Sequence, residues 1–184
     1  YENIDSFINS FNRVYEVNAH HLQLGFLKLI HGTRIRREAD LHGYKYRAYP
    51  PYEIIENRYL TSNDILRLKR VEEVLDRTYN SGRFILTLKY LLNYFSTPFE
   101  LYESFSDYLA DKGMLFMPIS AVRLFKTLRE FALGIPSIDD FALDSYIALD
   151  YASSLKNTVL PDFLKDSKLK VLDGRDYLDS YIEG

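Results

Sequence analysis

Four histidines, His20, His21, His31 and His42, are the only imidazoles in a chain of 184 residues that contains no cysteine. Adjacent side chains on an extended strand point to opposite faces, so His20 and His21 cannot grip one ion together. No acidic residue stands at metal-ligand spacing from any of the four, which read as a strand entry and turn residues. Without thiolates the chain offers no disulfide framework, no cysteine-based zinc site and no ligands for an iron–sulfur cluster. The carboxylate pairs Asp107/Asp111, Glu100/Glu103 and Asp139/Asp140 fall in amphipathic helical stretches, where solvated faces and helix-dipole partners account for them. There is no Gly-x-Ser-x-Gly turn, P-loop or Gly-x-Gly-x-x-Gly, so nucleophile-elbow and phosphate-cradle chemistries have no support.

Arg34, Arg36 and Arg37, followed by Lys45 and Arg47, form the basic cluster of the chain. Cations at the start of a helix oppose its dipole. Two readings stay open: an anion-facing or interdomain role, and a solvated face with salt bridges to Glu38, Asp40 and Glu53. The series Tyr44, Tyr46, Tyr49 and Tyr52 suits either stacking on a planar ligand or a half-buried edge whose hydroxyls stay wet. With 23 Lys+Arg against 26 Asp+Glu, the net charge of −3 argues against a general nucleic-acid footprint. The longest apolar stretch, Leu22–Ile30, is cut by Gln23 and Lys28 and falls short of the roughly 18–20 residues that cross a bilayer. The expectation is a soluble, cytoplasmic chain with no membrane or nucleic-acid partner. It starts at Tyr1 with neither an initiating Met nor a signal-peptide pattern, as a piece of a longer polypeptide would.

The elements that must position these residues follow from periodicity. Tyr1–Glu16 carries Ile4, Phe7, Ile8, Phe11, Val14 and Tyr15 on one helical stripe. His21–Ile30 reads as a buried strand, His31-Gly32-Thr33 as a turn, and Thr33 as the N-cap of a helix Arg34–Leu41 that Gly43 ends. Two short extended segments within Tyr44–Tyr59 meet at Pro50-Pro51. Thr61 with Asp64 starts a helix carrying Ile65, Leu68, Val71 and Leu75, with Glu73 and Arg77 as a surface pair, and Asn80-Ser81-Gly82 stops it. Helical windows follow at Arg83–Phe95, Pro98–Asp111, Ile119–Leu133 and Ile138–Leu155, the last capped by Ser137. Their expected core stripes are Ile85/Leu88/Leu92/Phe95, Leu101/Phe105/Tyr108/Leu109 and Val122/Phe125/Leu128/Phe131. Beyond Asn157 an extended segment is expected at Leu169–Leu172 and a turn at Asp173-Gly174. The fold class is mainly α: a helical bundle with a short N-terminal α/β remnant and a small extended Tyr- and Pro-rich connector. The boundaries fall at 1–43, 44–60 and 61–184.

The run His20-His21-Leu22-Gln23-Leu24-Gly25-Phe26-Leu27-Lys28-Leu29-Ile30-His31-Gly32-Thr33 resembles the last strand of a radical S-adenosylmethionine barrel, with His31 where that family's turn has Pro. Asp5-Ser6-Phe7 to Asn12-Arg13-Val14-Tyr15 precedes it, and Pro50-Pro51-Tyr52-Glu53 and Tyr79-Asn80-Ser81-Gly82 follow it. Together they are similar to the C-terminal end of the cobalamin-binding-type radical enzymes, in which a helical domain of unknown function follows the barrel. The resemblance covers most of residues 1–110. It implies that residues 1–43 are the last helix and strand of the barrel. It further implies that Leu24, Gly25, Phe26 and Leu27 offer their backbone to the adenine of S-adenosylmethionine, a β-branched side chain at Gly25 obstructing that approach or overpacking the barrel interior.

The family's Cys-x-x-x-Cys-x-x-Cys motif for the 4Fe-4S cluster and its cobalamin domain lie upstream, outside this chain. The implied partners are the upstream barrel of the same polypeptide and an unknown substrate. The strand at Leu22–Leu29 is expected to pair with the Tyr44–Tyr59 segments, with a second copy of the chain, or with both. The function implied is that of the C-terminal region of an iron–sulfur oxidoreductase, its helical domain capping the barrel or docking a substrate or partner, without catalysis on its own. The alternative is an independent helical protein-interaction module whose N-terminal strand pairs with another chain.

Overall fold

The computed structural model of the chain describes residues 2–155 and 159–165. The segments expected at Leu169–Leu172 and Asp173-Gly174 lie outside them. Helices hold 57% of the described residues and the described sheet has two strands, so the fold is mainly α. No helix among the described residues is long and apolar enough to cross a membrane. Two compact units interleave along the chain: Tyr1–Asn80 with Thr97–Phe116, and Ser81–Ser96 with Met117–Gly184.

The first unit opens with α1 (Ile4–Glu16), whose N-cap Asn3 forms a capping box with Ser6. Phe11 is the residue of α1 that is fully buried, edge-on to Phe99 at 5.5 Å and to Tyr102 at 6.0 Å, while Val14 of the expected stripe is exposed. The stretch expected as one helix from Arg34 breaks at Glu38 (φ −95°, ψ 14°) into α2 (Arg34–Arg37) and α3 (Ala39–His42). Thr33 does not cap it, because its hydroxyl instead donates to the Ile30 carbonyl at 2.7 Å. Gly43 ends α3 with φ +62°, a left-handed conformation that glycine reaches without steric cost. Strands β1 (Lys45–Tyr46) and β2 (Ile54–Glu56) pair antiparallel on either side of Pro50-Pro51, matching the two extended segments expected there.

Helix α4 (Ser62–Arg77) begins at the expected place. Thr61 accepts from the Asp64 amide, and the Asp64 carboxylate accepts from the Thr61 amide at 2.8 Å. The Glu73–Arg77 ion pair is present. Ile65, Leu68, Val71, Val74 and Leu75 are buried, and α4 packs on α6 (Pro98–Asp111), which buries Leu101, Phe105 and Leu109. Across that contact Arg67 pairs with both oxygens of Glu103, Nη2 to Oε2 at 2.8 Å, with its guanidinium 5.3 Å above the Phe99 ring. A Thr61→Ala substitution removes the hydroxyl that accepts the Asp64 amide, while the backbone amide at 61 can still donate to Asp64, and is expected to cost about 1 kcal/mol, read as a lower urea midpoint at unchanged slope.

The second unit contains α5 (Ile85–Leu91), a 3₁₀ turn at Leu92–Tyr94, α7 (Ala121–Ala132), α8 (Asp140–Leu155) and α9 (Asp162–Lys165). Its core joins Phe84, Leu88, Leu91, Phe125, Leu128, Leu143, Ile147 and Tyr151, with the Phe84 and Phe125 rings 4.2 Å apart. Two stripes differ from expectation. Ile85 and Val122 are exposed, because Phe84 enters the core ahead of α5 and Leu124 with Phe125 takes the inner face of α7. Ser137 has φ +62° and precedes the helix without capping it, whereas Asp139 Oδ1 accepts the Ala142 amide at 3.0 Å.

Candidate functional site

The expected buried strand is an extended segment with a single antiparallel bridge, Lys28 to Glu53. Its side chains keep a period of two, with Leu22 and Leu24 buried and Gln23 and Gly25 exposed. What is missing is a ladder: among the described residues only 52–54 run beside it. There the Leu29 amide donates to the Tyr52 carbonyl at 2.9 Å and the Ile54 amide to the Leu27 carbonyl at 2.8 Å. At its other end Asn80 clamps Leu22 through both main-chain groups, at 2.9 and 2.7 Å, and the Tyr79 hydroxyl donates to the Ala19 carbonyl. Tyr79, expected on the apolar stripe of α4, and Asn80, expected to stop that helix, therefore anchor the segment.

Between these fastenings, the amides and carbonyls of residues 23–26 have no hydrogen-bond partner among the described residues. They border a groove of about 210 Å³ lined by Leu24, Gly25, Phe26 and Leu27 together with Phe7, Tyr44, Ile54, Asn57, Tyr59, Leu60 and Ile65. All four residues that the resemblance singled out are thus on one wall. A Cβ added at Gly25 would meet nothing within 4 Å, and its backbone is not left-handed. Overpacking by a larger residue there is therefore not expected within this unit, because the space beside Gly25 is open.

The part of the lining formed by Asn57, Tyr59 and Leu60 is shaped by local hydrogen bonding. Asn57 Oδ1 accepts from the amides of Tyr59 and Leu60 at 2.7 and 2.8 Å, turning the chain into the α4 cap. Buried His42 sits with Nδ1 3.2 Å from the Tyr59 hydroxyl and its ring 5.3 Å from Tyr44. Lys69 lies 4.0 Å over the Phe26 ring and pairs with Glu53 at 2.7 Å. Sequence reasoning did not bring Asn57, Tyr59 or His42 to this place. The Asn-x-x-Leu preceding Thr61 was the available signal for an Asn-led turn.

The carboxylates read as helix-surface groups do structural work: Glu103 pairs with Arg67, Asp107 with Arg70 at 3.5 Å, and Asp139 caps α8. Of the salt bridges expected for the basic cluster, Arg34 makes one to Glu38 at 2.6 Å, while Glu53 is taken by Lys69. Among the described residues, no three His, Asp or Glu side chains stand together as a metal site. Burial raises the phenol of Tyr102 well above its ordinary 10 and also raises that of Tyr15, whose hydroxyl lies 3.0 Å from it, so both hydroxyls stay protonated and one donates to the other in the α1–α6 contact. A second concavity, of about 460 Å³ beside Val122, Tyr151 and Leu160, presents Lys126 and Asp162 as its charged groups.

The sequence pattern of the DUF4080 family, described as a protein of unknown function, matches residues 40–179. No protein of curated function and no solved structure matches the chain.

Proposed function

The chain belongs to the DUF4080 family, and from that premise we propose that it is the C-terminal region of a radical S-adenosylmethionine iron–sulfur oxidoreductase of the cobalamin-binding type. In this reading the segment Leu22–Leu29 is the last barrel strand. The helical units cap the barrel mouth or dock a substrate or partner, and the chain alone catalyses nothing. The observation that carries the reading is the unpaired backbone of residues 23–26 beside a glycine with open space around it. A half-exposed segment with unused ladder groups can accept a neighbouring strand or ligand, and a glycine required neither by its φ nor by its own unit's packing suits close approach of another group. The family match supports it too, since a helical domain of unknown function is what the resemblance places after such a barrel.

The donor set fits the adenine end of the cofactor: unpaired amides and carbonyls at Leu24, Gly25 and Phe26 are the hydrogen-bonding groups that a purine edge needs, and Phe7, Leu27 and Leu60 give the groove its apolar walls. When bound, S-adenosylmethionine supplies a carbon-centred radical upon reductive cleavage at a 4Fe-4S cluster. The contribution of this chain is binding and exclusion of water along Leu24–Leu27. With no cysteine in the chain, the cluster is held by the upstream polypeptide, and cobalamin belongs to its upstream domain.

Gly25→Val in the full-length polypeptide is expected to weaken S-adenosylmethionine binding at least tenfold by calorimetry. Folding stability is expected to move by no more than about 0.5 kcal/mol, as for a substitution with no clashing neighbour. Leu41→Ala, at an exposed site, is the control. Unchanged affinity in a folded Gly25→Val protein would remove the cofactor role from this strand. The alternative, an independent interaction module whose segment pairs with another chain, draws on the same unpaired backbone. The two separate on the sequence upstream of Tyr1, where three cysteines at the family spacing support the enzyme reading and their absence supports the module.

A further inference from the structure

We propose that Arg36 and His31 form an oxyanion site on the first unit, taking the carboxylate or phosphate of a small molecule. This inference does not depend on the parentage proposed above. Arg36 is half-buried on α2, its guanidinium held between the rings of Tyr46 and Tyr52 at 5.0 and 4.9 Å. Nη1 donates to the Leu29 carbonyl at 2.7 Å. A guanidinium has five N–H donors, and among the described residues no other acceptor and no carboxylate engages this one. A half-buried arginine packs its stem on apolar surface and keeps its remaining donors open to solvent or to an anion. Of the three acids expected to serve the cluster, Glu38 is taken by Arg34 and Glu53 by Lys69, and Asp40 is exposed with no ion pair to Arg36.

His31 completes the arrangement from the turn ahead of α2. It is exposed, has no hydrogen-bond partner among the described residues, and meets the same Tyr52 ring edge-on at 4.9 Å. Tyr52 therefore touches both groups, and it does so from a left-handed backbone (φ +57°), a conformation unfavourable for a tyrosine and one found disproportionately at binding sites. Residues 28–40 carry Lys28, Arg34, Arg36 and Arg37 against Glu38 and Asp40, a local surplus of positive charge that favours an anion. The two rings fix the fork before a ligand arrives, and a pre-organised planar fork matches the two oxygens of a carboxylate or phosphate. The net charge of −3 for the whole chain points to a small anion and away from a polyanion.

The test is calorimetric titration of the full chain with inorganic phosphate and, separately, with succinate in chloride buffer, while the four histidine imidazoles are followed by NMR. Saturable binding of one of them is expected, shifting one imidazole resonance that is missing from His31→Gln. Whichever of the two binds tighter identifies the class. Arg36→Lys, which keeps the charge and loses the fork, is expected to weaken binding about tenfold. His31→Gln alters an exposed side chain and is expected to fold normally and bind more weakly than the parent. Unsaturable shifts, or folded His31→Gln that binds as tightly as the parent, would overturn the site. So would a folded Arg36→Lys with undiminished affinity; should that variant not fold, the His31→Gln titration decides.

Discussion

Arg129→Met is expected to destabilise the second unit by about 3–5 kcal/mol, because it strands a buried carboxylate. Asp144 is 2% exposed and receives both arms of the Arg129 fork, Nε to Oδ1 at 2.5 Å and Nη2 to Oδ2 at 2.9 Å. The pair joins α7 to α8 beside Leu128 and Leu143, and the carboxylate holds the arginine's charge more firmly than in water. Removing one partner leaves the desolvation cost of the other uncompensated, whereas removing both leaves an apolar contact. Arg129→Met/Asp144→Leu should therefore regain most of the loss. Urea unfolding of the single and double variants checks this. A single-variant loss under about 1 kcal/mol would mean that water reaches Asp144.

Asp150→Ala is the second large effect, expected to cost on the order of 3 kcal/mol through orphaned buried donors. Helix α5 has no side-chain cap of its own; Asp150 of α8 takes that role, accepting the Leu86 amide at 3.1 Å, the Thr87 amide at 2.8 Å and the Thr87 hydroxyl at 2.7 Å. Burial raises the Asp150 carboxyl above its ordinary 3.8 even though these three hydrogen bonds pull it down. The folded state therefore binds this proton more tightly than the unfolded chain. By linkage its contribution to stability grows as pH falls through the raised value towards about 3.8, and is constant above that window. Stability curves of parent and Asp150→Ala should run parallel near neutrality and separate further on acidification. Convergence on acidification would show that the carboxyl is depressed instead.

These two carboxylates mark the limit of what the sequence discloses. The cap at Thr61, the span Pro98–Asp111, the stop at Gly43 and the hairpin around Pro50-Pro51 are legible because each depends on residues within a few positions of one another. Asp150 and Thr87 are 63 residues apart, and nothing in either neighbourhood announces the other. The same holds for Phe84, whose burial displaces Ile85 from the core face for reasons that lie in Phe125 and Tyr151. Thr33 and Ser137 are good capping residues by type, yet an alternative hydrogen bond and a left-handed backbone respectively take them out of that role. In the groove, alternation along Leu22, Gln23, Leu24 and Gly25 points only to an extended segment, and it is the family resemblance that singles out Leu24–Leu27. The facing Tyr44, Asn57 and Tyr59 were not legible, since their approach depends on how the hairpin folds back.

The radical S-adenosylmethionine parentage is tested most directly by anaerobic reconstitution of the polypeptide that carries this chain together with its upstream region, followed by iron assay, visible spectrum and assay of S-adenosylmethionine cleavage. The account predicts a 4Fe-4S cluster ligated by three upstream cysteines and reductive cleavage of S-adenosylmethionine, both missing from residues 1–184 alone, which have no thiolate to offer. An upstream region without that cysteine triad, or a reconstituted protein that holds no cluster and leaves S-adenosylmethionine intact, would contradict it.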